Sequence, residues 1–173
     1  MNANHKAKEI FGSKYPIISA AMNQVSDLTL ARAVRQAGAV PSLSIYNYKN
    51  NFQGLVDDLT SYKNEFNDLK IFLSLGDQEL KIPIILDLIL KSKIEFIELI
   101  LDSGIDIQQE LSSVISNNTK VFVKCLSIKD VINGVFGVIL KGNEGAGRGH
   151  YPTKKLFEHI QSKFPHLLII VSE

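Results

Sequence analysis

A glycine-rich segment carries the densest chemistry in this sequence. Gly142 to His150 reads Gly-Asn-Glu-Gly-Ala-Gly-Arg-Gly-His and directly follows a continuous apolar run, Val135 to Lys141. Glycines free the backbone to present N–H groups to an anion. Glu144, Arg148 and His150 add an acid, a permanent cation and a group that titrates near neutral pH. The segment matches neither a Walker loop nor a dinucleotide fingerprint, so a cofactor site and a plain surface loop both stay open.

Small residues mark a second candidate site at the end of the first apolar run. Tyr15 to Met22 reads Tyr-Pro-Ile-Ile-Ser-Ala-Ala-Met. Ala20 and Ala21 would let a flat ligand lie close to the backbone. The same small side chains also suit ordinary core packing, so this segment alone does not establish a site.

Seven short apolar runs must position these two segments. They are continuous rather than alternating, which is typical of parallel strands covered on both faces. The runs occupy residues 15–20, 39–45, 70–75, 96–101, 120–126, 135–141 and 167–171. Helical spacing separates them, and this alternation predicts right-handed crossovers on a parallel sheet.

Helices are predicted in four of the intervening segments. The first begins at an N-cap, Ser26 or Asp27, and ends at Gly38. The others cover residues 51–66, 106–115 and 153–164. Residues 79–91 suit a helix or a buried strand, because Pro83 restricts where a helix begins. Residues 127–133 allow two turns at most.

The length leaves the architecture between two alternatives. A flavodoxin-like open sheet needs about five strands, and an eight-stranded barrel usually takes ~250 residues. A chain of 173 residues with seven runs is therefore either a sheet with short crossovers or a barrel that stops one unit short. We expect one domain over residues 1–173, with a flexible tail over residues 1–13.

Composition indicates which classes of partner and which cellular compartment to expect. A formal charge of +1 supplies no basic excess for nucleic acid. The longest apolar stretch, Ile82 to Leu90, contains Asp87 and falls short of the about 20 residues that span a bilayer. No secretory signal opens the sequence. We expect a cytoplasmic protein without a membrane partner or a metal site, and a buried, inert thiol at Cys125.

Taken together, these motifs resemble the nitronate monooxygenase family, formerly called 2-nitropropane dioxygenases. That family includes FMN-dependent enoyl-acyl carrier protein reductases. The resemblance rests on Pro-Ile-Ile-x-x-x-Met from Pro16, on Val25-Ser26-Asp27, on Leu-Ala-x-Ala-Val-x-x-Ala-Gly ending at Gly38, and on Lys141-Gly142-Asn143-Glu144. These variants look most like the members attached to polyketide and polyunsaturated fatty acid synthases.

The resemblance implies a parallel (β/α) TIM barrel that holds FMN at the C-terminal ends of its strands. With about seven βα units, the barrel would lack its eighth strand. Ser74 stands where the family usually has an asparagine, and Lys141 stands where many members have a glutamine facing the flavin. Lys124 would point into the barrel mouth or pair with Glu98 or Asp102. The cofactor-binding residues implied are Ala20, Ala21, Met22, Ser74, Lys124, Lys141, Gly142, Glu144, Gly145, Ala146 and Gly147.

Arg148 and His150 are the catalytic candidates. Arg148 occupies the position of the histidine that acts as acid or base in typical members, and a guanidinium cannot abstract a proton. His150 would substitute for that histidine, against a simpler interpretation as a solvated loop residue. The departure favours an enoyl reductase, or a role linked to an acyl carrier protein, over nitronate oxidation. The electron donor would be NADH or NADPH, and the substrate a small molecule or an acyl group on its carrier.

The end of the sequence suggests a second function. Family members follow the seventh strand with a Gly-Gly-Ile turn, whereas Ser172-Glu173 ends this sequence, so the phosphate-binding loops after strands seven and eight are missing. The alternative is therefore a catalytically incomplete barrel that acts as an assembly or docking module. An open-sheet regulatory domain is a third possibility. Two open sheet edges predict self-association or completion by further chain.

Overall fold

Six strands alternate with helices in this structure, a computed structural model that describes residues 3–144, 149 and 151–172. The strands are β1 (Ser42–Ser44), β2 (Phe72–Gly76), β3 (Phe96–Ile100), β4 (Lys120–Cys125), β5 (Gly137–Lys141) and β6 (Leu168–Ser172). The helices are α1 (Ala3–Phe11), α2 (Leu28–Gln36), α3 (Phe52–Phe66), α4 (Asp77–Leu80), α5 (Pro83–Ser92), α6 (Gln108–Ser116) and α7 (Thr153–Lys163). Short 3₁₀ turns follow β1 at Ile45–Tyr48 and β4 at Ile128–Asp130.

The strands form one parallel sheet whose spatial order equals the chain order. Every neighbouring pair from β1 to β6 is parallel. An open doubly wound sheet would reverse its order at a switch point, and this sheet does not. Because each crossover steps in the same direction, the helices cover one face and the other face becomes a barrel interior. The predicted parallel (β/α) architecture is confirmed, and the barrel is incomplete over the described residues.

The first predicted strand, residues 15–20, is reduced to one parallel bridge between Ile18 and Val40. Val40 N donates to Ile17 O at 2.9 Å, and Ser19 N donates to Val40 O at 2.9 Å. The ladder then stops because Ser42 N donates to Ser19 Oγ, and Ser42 Oγ donates to Ser19 O. Side-chain hydroxyls thus replace the next backbone bond. The segment still runs beside β1 as a seventh parallel member.

Two apolar clusters lie on opposite faces of the sheet, because side chains alternate along a strand. Leu73, Ile97 and Val123 belong to the larger cluster, beneath the helices. Phe72 and Phe96 belong to the smaller one, inside the arc that the curved sheet forms. The remaining buried members of the inner cluster are Phe11, Val40, Phe122 and Ile139.

Helix α1 closes the N-terminal end of the arc. Residues 1–13 were predicted to be a flexible tail, but Ala3–Phe11 form a helix. Phe11 is 6% exposed, and its ring centroid lies 5.9 Å from Phe72, 5.2 Å from Phe96 and 6.0 Å from Phe122. Since Phe72 and Phe96 begin their strands, Phe11 seals the end opposite the expected site.

The helix predictions are confirmed with small shifts of boundary. Asp27, rather than Ser26, caps α2 by accepting from Leu30 N at 2.9 Å, and Gly38 follows with φ +89°. The ambiguous residues 79–91 are helical with a break at residues 81–82, and α5 begins at Pro83, where the first turn needs no N–H. No helix in the described part of the chain is long and apolar enough to cross a membrane.

Cys125 lies at the end of β4 with its side chain under the helices. It is fully buried, and burial raises the pKa of its thiol to about 12. The thiol is therefore protonated at neutral pH, and the prediction of an inert, buried cysteine is confirmed.

We expect Phe11→Ala to lower the free energy of unfolding by about 3–5 kcal/mol, because it removes the ring that fills the inner cluster. Urea denaturation followed by circular dichroism measures this change. Phe136→Ala is the control, since Phe136 also contacts Phe122, with ring centroids 5.5 Å apart, but is 38% exposed. Equal losses in the two variants would contradict the sealing role of α1.

Candidate functional site

The inner face of the sheet changes from apolar to polar along the strands. Two residues after Phe72, Phe96 and Phe122, the next inward positions are Ser74, Glu98 and Lys124. Ser74 lies opposite Glu98 in the parallel register. The interior therefore has an aromatic layer at the N-terminal end and a polar layer nearer the C-terminal end, where ligands of parallel α/β folds bind.

A lysine and a glutamate pair inside the arc. Lys124 Nζ lies 2.8 Å from Glu98 Oε1, and the two side chains are 21% and 7% exposed. An unpaired buried charge is strongly destabilising, so the loss of either side chain would leave the other as a destabilising buried charge. Of the two expectations for Lys124, the salt bridge with Glu98 is confirmed, and the side chain also points into the interior.

A cavity of about 870 Å³ opens beside this ion pair. Ser19, Ala20 and Ala21 line one side of the cavity, and β6 lines the opposite side. Phe11 and Phe72 form its base, and Glu98 and Lys124 are also part of its wall. The cavity runs along the gap between residues 16–21 and β6, so its volume includes the open side of the barrel as well as the interior beside Lys124.

Three of the predicted cofactor residues meet at this cavity: Ala20, Ala21 and Lys124. Met22 follows on an exposed loop, with 46% of its surface accessible. Ser74 is buried on the inner face of β2, and it is not among the described residues that line the cavity. The segment 20–22 thus reaches the site mainly through its alanines.

The end of β5 is organised around the start of α7. Glu144 accepts from Thr153 N at 2.9 Å and from Thr153 Oγ1 at 2.8 Å. These bonds, the backbone N–H above all, hold the pKa of Glu144 below its usual value. A Cβ at Gly142 would overlap both Thr153 and the Glu144 carboxylate, so the close approach requires glycine. Lys141, half-buried at the end of β5, completes this edge.

The remaining predicted residues lie outside the part of the chain that the structure describes. They are Gly145, Ala146, Gly147, Arg148 and His150. Their roles stay predictions from the sequence.

Two residues that the sequence analysis did not assign to the site fix its first loop. Ser26 Oγ donates to Ala20 O at 2.9 Å and accepts from Met22 N at 2.8 Å. Asn47 Nδ2 donates to Ser26 O at 3.0 Å. In the sequence, Ser26 was a possible N-cap and part of the motif Val25-Ser26-Asp27, and neither feature indicated a contact with Ala20 or Met22. Asn47 carries no sequence signal, because its partners lie more than twenty residues away.

Comparison with known proteins gives matches in structure alone. No family model and no curated protein sequence matches the chain. FabK from Thermotoga maritima is similar over 96% of this chain and 53% of its own, with a TM-score of 0.74 and 16% identity. A mutant of the same FabK gives a TM-score of 0.75 at 16% identity, with 96% of this chain and 55% of that chain covered.

Nitroalkane oxidase from Streptomyces ansochromogenes is similar over 98% of this chain and 60% of its own, with a TM-score of 0.76 and 15% identity. The shared fold is a parallel (β/α) barrel. At this level of identity the likeness establishes the fold, and the chain spans a little more than half the length of these proteins.

We expect Lys124→Met to lower the free energy of unfolding by about 3 kcal/mol, because it leaves the Glu98 carboxylate buried without a cation. Combining it with Glu98→Gln should lose less than the sum of the single losses, since no charge is then left unpaired. Urea denaturation measures all three variants.

Lys91→Met is the matched control, because Lys91 pairs with Asp87 at 2.8 Å with both side chains exposed, and such pairs contribute little. Strictly additive losses for Lys124 and Glu98 would show that the two charges do not support each other.

Proposed function

We propose that the chain forms the greater part of an FMN-dependent oxidoreductase of the nitronate monooxygenase and enoyl reductase type. The observation that carries this proposal is the meeting of Ala20, Ala21 and Lys124 at one cavity of about 870 Å³. The motif resemblance selects the same residues, and the fold likeness to FabK and nitroalkane oxidase supports the same class.

The residues at the cavity fit the ring system of a flavin. Ser19, Ala20 and Ala21 have small side chains, so a planar ring can approach the backbone beside them. Lys124 places a positive charge on the inner wall, and Glu98 fixes the position of that charge. The aromatic layer with Phe11 excludes water from the opposite end. When bound, the flavin supplies the hydride or electron transfer, and the protein orients it.

The proposal gives the other predicted residues their roles. Met22 would contact the flavin through its backbone, and Ser74, Lys141 and Gly142, which are not among the described residues that line the cavity, would hold it from the neighbouring strand ends. Glu144 holds the following loop against Thr153. For Gly145, Ala146 and Gly147 the proposal keeps the role predicted from the sequence, in which their backbone N–H groups would bind FMN.

We favour the reductase reaction within this class. Arg148 stays protonated and binds anionic groups, and His150 serves as the proton donor or acceptor. The electron donor is NADH or NADPH, and the substrate is an activated alkene, free or on an acyl carrier. Such a cytoplasmic enzyme would act in fatty acid or polyketide synthesis.

Flavin binding tests the proposal directly. We expect added FMN to change its absorption spectrum and lose fluorescence on binding, with weaker binding in Lys124→Met and unchanged binding in Lys91→Met. His150→Ala should lower the rate of NADH or NADPH oxidation by an enoyl substrate, and leave FMN affinity unchanged. Absence of any spectral change at high micromolar FMN would contradict the proposal.

A further proposal concerns the open side of the barrel, where we infer that one more parallel strand fits between β6 and residues 16–20. Leu168 N donates to Phe136 O. Because successive backbone amides point to opposite sides of a strand, those of Ile169 and Val171 point away from β5. On the other side of the opening, the backbone groups of Ile17 and Ser19 are hydrogen-bonded to Val40. By the same alternation, the amide of Ile18 points away from Val40 and toward the opening.

The chemistry of this opening suits an apolar strand. Residues 167–172 and 15–21 contain no charged side chain, although exposed sheet edges usually carry charges that prevent pairing. Val171 is 47% exposed. Within the described residues the sheet has seven parallel members when the bridge at Ile18 is counted, and an eight-stranded barrel has one place more. We propose that this place, which is the outer part of the cavity, takes a short apolar strand with its helix from further chain, while the inner part beside Lys124 stays open to the cofactor.

We expect the chain alone to self-associate through this edge at micromolar concentration, and Val171→Lys to make it monomeric, because a lysine on an edge strand prevents pairing. Size-exclusion chromatography with light scattering measures the mass. Ile84→Lys is the control, since Ile84 is an exposed isoleucine on α5, away from the edge. A monomeric unsubstituted chain would contradict a free, pairing edge.

A further inference from the structure

The loop of residues 20–27 has exposed apolar side chains, so burial contributes little to its stability. It connects the segment beside β1 to α2, and Met22 and Val25 are 46% and 51% exposed. Gln24 adopts the left-handed conformation, with φ +63°, which disfavours residues other than glycine. Hydrogen bonds must therefore maintain the conformation of the loop.

Ser26 ties the two ends of the loop together from within. Its side chain is fully buried, donates to Ala20 O and accepts from Met22 N. Ser26 N also donates to Met22 O at 2.9 Å. One hydroxyl thus fixes the backbone at Ala20, which lines the cavity, and at Met22.

Asn47 connects the same loop by hydrogen bonds to the 3₁₀ turn that follows β1. Its Oδ1 accepts from Gln24 N, and its Nδ2 donates to Ser26 O at 3.0 Å. One carboxamide therefore satisfies two backbone groups, one of them at the left-handed residue. A carboxylate in the same place would have no donor for Ser26 O.

The turn that carries Asn47 is itself well anchored. The 3₁₀ turn Ile45–Tyr48 follows β1, and Ile45 and Tyr48 are buried. Tyr48 Oη donates to Asp58 Oδ2 on α3 at 2.6 Å. Asn47 thus connects the loop to a support that β1 and α3 hold in place.

We propose that Asn47 is a positioning residue, which holds residues 20–27 as a preformed platform for the flavin ring. The cofactor half of this inference rests on the proposed function, whereas the order of the loop does not. A loop that is ordered before binding loses less conformational entropy when the ligand arrives. Loss of Asn47 should therefore loosen the loop in the free protein and weaken FMN binding.

Two measurements on the full chain test the proposal. Hydrogen exchange of the peptide covering residues 20–27, without ligand, should become on the order of tenfold faster in Asn47→Ala, which loses two bonds. Asn47→Asp retains the acceptor and should show about half of that effect on a logarithmic scale. The FMN dissociation constant, from fluorescence titration, should rise in the same order.

Asn50→Ala is the matched control, because Asn50 is an exposed asparagine three residues along the chain and should leave both quantities unchanged. Thermal unfolding of each variant shows whether it is folded, and Asn47→Asp keeps the test available should Asn47→Ala unfold. Unchanged exchange in a folded Asn47→Ala overturns the inference.

Faster exchange with unchanged FMN affinity overturns the positioning role, since Asn47 would then be structural only. A chain that binds no FMN at all overturns the proposed function and the cofactor half of the inference together. In that case the exchange measurement still decides whether Asn47 holds the loop.

Discussion

The requirement that every strand bury both of its faces governs this molecule. Because the strands follow one another in a single direction, the helices cover one face of the sheet. The other face is concave, and it can be covered only by the side chains of its own strands and by groups that enter the barrel interior. The inner face meets this requirement in two ways. Phe72, Phe96 and Phe122 pack against Phe11 at one end, and Glu98 pairs with Lys124 further along. The cavity lies where the second arrangement leaves space, so the same constraint accounts for the core and for the site.

Local signals predicted most of the fold. The helix that begins after Asp27 and the one that begins at Phe52 both have a capping side chain and buried residues at helical spacing, and such features depend on near neighbours in the sequence. Helix α1 was missed because its importance rests on one residue, Phe11, whose partners come from three distant strands. The strand over residues 15–20 was overestimated, since hydroxyl groups of Ser19 and Ser42 interrupt a ladder that hydrophobicity alone would continue.

The site was predictable where it depends on residue type and position in a strand. Lys124 follows Phe122 by two residues, so its inward direction follows from strand alternation, and the small residues at Ala20 and Ala21 stand at a strand end. Asn47 was not predictable as part of the site, because a hydrogen bond between a turn and a loop 21 residues away leaves no periodic pattern. Ser26 belongs to a recognised motif, but its bonds to Ala20 and Met22 depend on the conformation of the loop. The role of Glu144 likewise required the position of Thr153, which only the folded chain provides.

The identity of spatial and chain order also has a consequence for how the protein is made. Register partners are separated by between 15 residues, from Phe122 to Gly137, and 31 residues, from Gly137 to Leu168. Each strand therefore finds its neighbour in the part of the polypeptide that was synthesised just before it. Contacts of short separation form fastest, and domains acquire structure from the N-terminus as they leave the ribosome. The sheet can thus grow strand by strand during translation, and only the closure of the barrel must wait for its last strand.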